Sequence, residues 1–199
     1  MNTILSTLAL VGAVSAQTPL VCADFPRQQN VDSTRYVGEW YEISRTAERR
    51  YGQSNGECVT AHYTTKENGE IIVDNRARQP DGSYTIGLAN ARPSLETGTM
   101  TVSFNNMGYP ETPNYNIIFT DYDYSIVYGC DLRLNREDMY IIARTSSITD
   151  AKLAELKTIA NDAVPSYDFA VKSEDSVQDA TCEYDFTATQ AVALGSIKT

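Results

Sequence analysis

The sequence predicts an all-β protein: an eight-stranded antiparallel up-and-down β-barrel with one C-terminal α-helix packed on its outside. Three observations carry this. From Tyr36 onward, short runs rich in Val, Ile, Thr and Tyr are separated by turns containing Asn-Gly, Asp-Gly or Gly and Pro. Where alternation can be tested, apolar and polar residues take turns, so one face of the sheet is apolar and the other wet. The period changes to that of a helix only after the last of these runs.

Taken in order, residues 4–16 (ILSTLALVGAVSA) are apolar, uncharged and end in small residues before Gln17. This is the pattern of a signal peptide over residues 1–16; the run is too short to span a bilayer, which takes about 20 apolar residues. Residues 17–35 are polar and irregular, with Pro19 and Pro26. The first strand is expected over Tyr36–Arg45. The clearest hairpin follows: CVTAHYTTKE, then Asn68-Gly69, then EIIVDNRARQ. Asn-Gly is the signal for a two-residue type I′ turn. Asp81-Gly82 leads into SYTIGLANA. TGTMTVSF, a loop around Met107-Gly108-Tyr109-Pro110, YNIIFTDYD, SIVYGCDLRL and MYIIARTS complete the eight. In TMTVSF, Met100, Val102 and Phe104 share one face. Closing such a meander on itself removes its edges.

The segment TDAKLAELKTIAND then places Leu153, Leu156, Ile159, Ala160 and Ala163 at helical spacing, with Thr149 or Asp150 as N-cap and Pro165 beyond its end. Its single apolar stripe predicts packing against the outside of the barrel. DFAVKS is expected to form a last short strand. Residues 183–199 lack periodicity and are expected to be a mobile tail, which leaves 17–182 as the folded domain.

Composition narrows the function. The net charge is −10, and the densest basic group, Arg45, Arg49 and Arg50, includes Glu48. Nucleic-acid binding requires clustered cations and is not expected. Cys22, Cys58, Cys130 and Cys182 form no C-x-x-C or Cys/His cluster, so no metal site is expected. Their even number behind a signal peptide favours two disulfides, made in an oxidising compartment. Sequence leaves three pairings open. No Asn-x-Ser/Thr sequon occurs.

Three ordered motifs then carry a resemblance. YVGEWYEISRT (residues 36–46) resembles the G-x-W signature of the lipocalins. TDYDYSIVYGC (120–130) resembles their T-D-Y motif between the sixth and seventh strands, and IIARTSS (141–147) has their arginine near the end of the eighth. The likeness covers roughly residues 22–182 and is strongest to the apolipoprotein D branch with its bilin- and carotenoid-binding relatives. It implies the pairs Cys22–Cys130 and Cys58–Cys182. It also implies structural roles for the motif residues. Trp40 closes the bottom of the barrel, Arg144 packs across its indole, Gly38 allows close backbone approach, and Thr120, Asp121 and Tyr122 shape the bottom loop.

The same resemblance implies a ligand pocket at Tyr63, Asn75, Phe104, Tyr140 and Ile142. Alternation adds Ala61, Val73, Met100 and Val102 to the inward set. Tyr63, Tyr140 and Asn75 stand out, because a buried hydroxyl or amide needs a partner and pockets use few polar groups to orient a ligand. The expected function is extracellular binding and transport of a small hydrophobic molecule (lipid, steroid-like, retinoid or fatty acid), without a cofactor. Contact with lipid surfaces or a cell-surface receptor is expected at the barrel mouth. There Met107 could reduce lipid hydroperoxides through its thioether.

A bilin- or carotenoid-binding chromoprotein is the alternative, and an enzyme the more distant one. Lipocalin synthases use a barrel thiol, haem carriers a histidine, and xanthophyll-converting members barrel carboxylates. Here the cysteines are expected in disulfides, and the one histidine, His62, points outward if Tyr63 points inward. A carboxylate pair stays open.

Overall fold

The computed structural model describes residues 20–47, 56–104 and 107–184. The expected signal peptide (1–16) lies outside the described residues, as do residues 185–199 of the expected tail. The two described residues of that tail are docked. Glu183 N donates to the Tyr84 hydroxyl at 3.0 Å, and the Tyr184 ring meets Tyr41 edge-on with centroids 4.9 Å apart.

Eight antiparallel strands close a barrel: β1 (Gly38–Thr46), β2 (Glu57–Thr65), β3 (Ile71–Arg78), β4 (Tyr84–Ser94), β5 (Thr99–Phe104), β6 (Tyr115–Thr120), β7 (Tyr124–Asp131) and β8 (Arg136–Ala143). Each pairs with its sequence neighbour. β1 pairs with both β8 and β2, which makes the closure. The first strand starts later than expected, because Ser33–Tyr36 form a helical turn, α1, whose N-cap Asp32 accepts from Thr34 N.

The hairpin turns differ from the expected type. Gly69 has φ +83°, but Asn68 is not in the left-handed region. Lys66 N donates to Glu70 O at 2.7 Å and Gly69 N to Lys66 O at 2.9 Å. This is the three-residue loop in which a type I turn is followed by a left-handed residue. The Asn68 side chain accepts from Glu70 N, stabilising the turn without positive φ at position 68. Gln79–Ser83 repeats the arrangement around Pro80, Asp81 and Gly82.

β1 and β2 pair only over Gly38–Tyr41 and Thr60–Tyr63. Beyond that they diverge, and the C-terminal arm occupies the gap. Its strand β9 (Ser173–Asp175) pairs with Ser44–Thr46. Cys58 N donates to Val177 O at 2.8 Å, and Gln178 Nε2 reaches the carbonyls of Glu42 (3.0 Å) and Val59 (2.8 Å), one on each strand. The expected strand DFAVKS is corrected here. Phe169–Lys172 form a helical turn, α3, and the strand begins at Ser173. Phe169 is fully buried in the outer core, so this segment docks through a side chain rather than through ladder hydrogen bonds.

Helix α2 (Asp150–Ala163) has Thr149 as N-cap, accepting from Lys152 N at 3.2 Å. It buries Leu156 and Ala160 against Ile43, Ile126, Met139 and Ile141, which face outward from β1, β7 and β8. The N-terminal arm completes this outer layer through Phe25, whose ring packs edge-on against Tyr128 at 5.1 Å. The barrel therefore has two cores: one under the helix, and one inside built on Trp40, Tyr63, Val73, Met100, Val102 and Ile142. Disulfides Cys22–Cys130 and Cys58–Cys182 tie the two arms to the barrel wall, with Cα separations of 5.8 and 5.4 Å.

Candidate functional site

One end of the barrel is closed by Trp40, whose side chain is fully buried. Its Nε1 donates to Tyr36 O at 2.8 Å. The Arg144 guanidinium lies over the indole 3.7 Å from the ring centroid. Arg144 also donates to the carbonyls of Glu39, Arg35, Tyr36, Val37 and Tyr122. One side chain thus joins α1, β1 and the β6–β7 loop. A cation over a ring face contributes about 0.5–2 kcal/mol, and the fork of donors adds geometric specificity.

Gly38 serves this floor differently from expectation. A Cβ there would meet Arg144 Nη1 at an ordinary 3.5 Å, but φ is +96°, which side-chain-bearing residues rarely adopt. In the neighbouring loop, Asp121 Oδ1 accepts from Asp123 N (3.0 Å) and Tyr124 N (2.7 Å). Thr120 Oγ1 accepts from Tyr122 N and donates to Tyr124 O. These bonds hold Tyr122 at φ +76°, where its hydroxyl accepts from Asp32 N at 2.9 Å and its ring lies under Arg35. None of these six motif residues lines the cavity.

Above Trp40 sits a hydroxyl cluster. Tyr36 shares hydrogen bonds with Tyr115 (2.8 Å) and Ser125 (3.0 Å), and Tyr63 with Tyr115 (3.2 Å). Burial is the main reason their phenols resist ionisation. It pushes Tyr63 up to about 12 and raises Tyr36 and Tyr115 well above the ordinary value. These groups are mutually satisfied, so they form a rigid neutral base.

Between this base and the open end lies a cavity of about 510 Å³. All five residues implied as a pocket line it: Tyr63 from β2, Asn75 from β3, Phe104 from β5, and Tyr140 and Ile142 from β8. So do Ala61, Val73, Met100 and Val102. The polar three differ in state. The Tyr63 hydroxyl is taken by Tyr115, and that of Tyr140 accepts from Arg136 Nη2 at 3.0 Å. Asn75 Oδ1 is buried and, among the described residues, accepts no hydrogen bond. His62 lies outside the cavity lining, on the opposite side of β2 from Tyr63.

Strand parity, pursued further, would have found the charged residues of the wall on β8 and β1. Arg136 and Asp138 share a face with Tyr140 and Ile142 on β8, and Glu42 shares one with Trp40 on β1. Each charge has an opposite partner. Arg136 Nε donates to Asp138, and Arg45 Nη1 to Glu42 at 2.8 Å. At the mouth, Arg133 binds Asp131 through two nitrogens (2.7 and 3.1 Å), and that guanidinium holds the Asp131 carboxyl below its ordinary range. The Asn114 amide stands in for a strand residue, exchanging both hydrogen bonds with the Val102 backbone where β5 and β6 diverge. Met107, 53% exposed, borders the opening.

The arrangement is a closed-bottomed cup: mostly aliphatic and aromatic over β2–β5, with ion pairs along β8 and β1. Both cysteine pairs are disulfides, so no thiol faces the interior.

Comparison with known proteins agrees with this geometry. The Lipocalin-like domain family matches residues 31–171. The chain is 30% identical over 194 residues to the Lazarillo protein of Schistocerca americana, covering 92% of this chain and 88% of that one. It is 32% identical over 166 residues to apolipoprotein D of Macaca fascicularis, covering 78% and 85%. Insecticyanin from the tobacco hornworm Manduca sexta superposes with a TM-score of 0.65 over 84% of this chain and 92% of its own, at 18% identity, a likeness of fold. With the motif triplet, the Trp40–Arg144 floor and the closed barrel all in place, this chain belongs to the lipocalin family.

Proposed function

We propose that the protein binds a small hydrophobic molecule in the barrel and carries it outside the cell, with Tyr63, Asn75, Phe104, Tyr140 and Ile142 among the residues that touch it. The carrying observation is the cavity of about 510 Å³, which is within the range of about 300–1,000 Å³ usual for small-molecule sites. Two disulfides and the apolar, uncharged run at residues 4–16 support export. Met107 and Leu132, each more than half exposed at the mouth, support transient docking on a lipid surface or a cell-surface receptor during transfer.

Native mass spectrometry of gently purified protein tests this. A retained small molecule of lipid, steroid, retinoid or fatty-acid mass is expected, and an empty barrel under those conditions would overturn it. A visible absorption band in the same preparation would instead favour a bilin or carotenoid chromoprotein. Glu42, Asp131 and Asp138 give an enzymatic reading its foothold, as carboxylates in the cavity wall. All three are engaged by arginines, which suits charge pairing better than proton transfer. Recovery of the ligand chemically unchanged after prolonged incubation is the expected result.

A further inference from the structure

Among the described strands, the barrel wall parts in two places. Between β1 and β2 the gap is filled by the C-terminal arm, whose strand β9 pairs with β1 and whose Cys182 is bonded covalently to Cys58 on β2. Between β5 and β6, among the described residues, neither a strand nor a disulfide fills the gap. These strands pair only at Thr99–Asn116 and Met100–Tyr115, near the floor. Above that point, among the described residues, they are joined through a single side chain. Asn114 Oδ1 accepts from Val102 N at 2.7 Å and Nδ2 donates to Val102 O at 3.0 Å, while Asn114 O accepts from Cys130 N on β7. Val102, Phe104, Asn114, Tyr115 and Gly129, on the two sides of this seam, all line the cavity, so the seam leads into it.

The connection from β5 to β6 is fastened on both flanks of that seam. Gly108 O accepts from Arg133 Nη1, in the β7–β8 loop, at 3.0 Å. On the other flank the Arg92 guanidinium of β4 lies over the Tyr109 ring, 3.8 Å from its centroid, and the Tyr109 hydroxyl donates to Glu70 Oε1 at 3.3 Å. Glu70 is itself held by Arg92 and Lys66. Tyr109 thus anchors the connection to the β2–β5 side through its side chain, and it does not line the cavity. Local opening takes place where few bonds have to break. Here these are the two Asn114 amide bonds, the ring contact and the phenol bond, against a ladder running the length of β5 on one side and of β6 on the other.

We propose that ligand enters and leaves sideways through the seam between β5 and β6, with Asn114 as its clasp and Tyr109 as the fastening that keeps it shut. This rests on the carrier reading of the same cavity and adds the route of exchange. A fastening that never touches the ligand holds the seam equally with the cavity full or empty. Loosening it therefore speeds entry and exit by the same factor and leaves the dissociation constant alone. A residue that contacts the ligand would change the dissociation constant instead.

The test uses the full chain, with all-trans-retinol and cis-parinaric acid as fluorescent probes mixed by stopped flow, and amide hydrogen exchange of the same proteins without probe. In Tyr109→Ala both kon and koff should rise by roughly three- to tenfold, the span of a partly exposed cation–ring contact and a weak hydrogen bond, with Kd unchanged. The Val102 amide, bonded to Asn114 rather than to Tyr109, should exchange faster, whereas Val73 and Val127 inside the ladders should not. Tyr109→Phe keeps the ring under Arg92 and should restore most of the wild-type rate. Gln178→Ala, which loosens the disulfide-closed gap between β1 and β2, should leave the probe rates as they are. Unchanged rates in Tyr109→Ala, a rise in koff alone, or faster probe exchange without a change at Val102 would each overturn the proposal. So would an equal acceleration in Gln178→Ala. If neither probe binds, the carrier reading fails and this proposal with it, an outcome distinct from binding at unaltered rates.

Discussion

Replacing Arg144 tests whether the floor of the barrel is held as described. Arg144→Ala removes the contact over Trp40 at 3.7 Å and the donors to Arg35, Tyr36, Val37, Glu39 and Tyr122. The ring contact contributes about 1 kcal/mol. The carbonyls lose a charged donor, but this site is only half-buried, so water re-solvates most of them and the remaining cost is about 2 kcal/mol. The expected destabilisation is therefore about 3 kcal/mol, or a fall in Tm of about 6–12 °C for a chain of this size. Arg144→Lys keeps the charge but lacks the planar fork, and should recover only about 1 kcal/mol. Urea titration followed by far-UV circular dichroism measures both. Trp40, the only tryptophan, reports the floor separately through its fluorescence. Neither variant should change ligand affinity, because Arg144 does not line the cavity. A loss below about 1 kcal/mol for Arg144→Ala, or a lysine variant as stable as the wild type, would refute the assignment of the floor to this side chain.

Alkaline pH should reveal the tyrosine base. In the unfolded chain phenols ionise near pH 10, whereas burial holds Tyr63 up to about 12 and Tyr36 and Tyr115 above the ordinary value too. The stability these groups supply is thus present below pH 10 and lost as pH rises toward 12. Tyrosinate absorbance should show a late phase coincident with unfolding; a smooth titration of all 13 tyrosines near pH 10 would contradict this. The C-terminal arm gives another prediction. The double variant Cys58→Ala, Cys182→Ala opens a link across 124 residues, for which the chain-entropy model gives about 4–5 kcal/mol. Hydrogen exchange should accelerate at Cys58 (now Ala) and Ser176, whose amides bond across the arm, before the rest of the barrel. Uniform acceleration throughout would show that the arm is not a separate closing element.

The sequence by itself determined the barrel, its family and the helix outside it. Period-2 runs, turn residues and one change to helical period depend on local chemistry, and the three motifs stand at fixed places along the chain. Tyr63, Asn75, Phe104, Tyr140 and Ile142 were legible as a lining through the family resemblance, and strand parity added Ala61, Val73, Met100 and Val102, since it assigns a face once one residue is known. Tyr36 was not legible as part of the barrel base, because it leaves a four-residue helical turn rather than the strand in which its neighbours place it. The turn at Asn68-Gly69 was misread because Asn-Gly suits two loop lengths, and only the pairing of Lys66 with Glu70 distinguishes them.

Only the tertiary structure decided which polar groups in the cavity are already satisfied. Asn75 and Tyr140 look alike in sequence as polar residues on inward faces. One meets Arg136 on its own strand, and the other faces Ala61 and Gly87 across two strands and meets no donor among the described residues. The placement of 173–178 between β1 and β2 is equally invisible in sequence, since it joins residues more than a hundred positions apart. Local propensity sets which way a side chain leaves its strand. What it meets there depends on long-range register and on where the strands diverge, and those are properties of the closed barrel rather than of any segment.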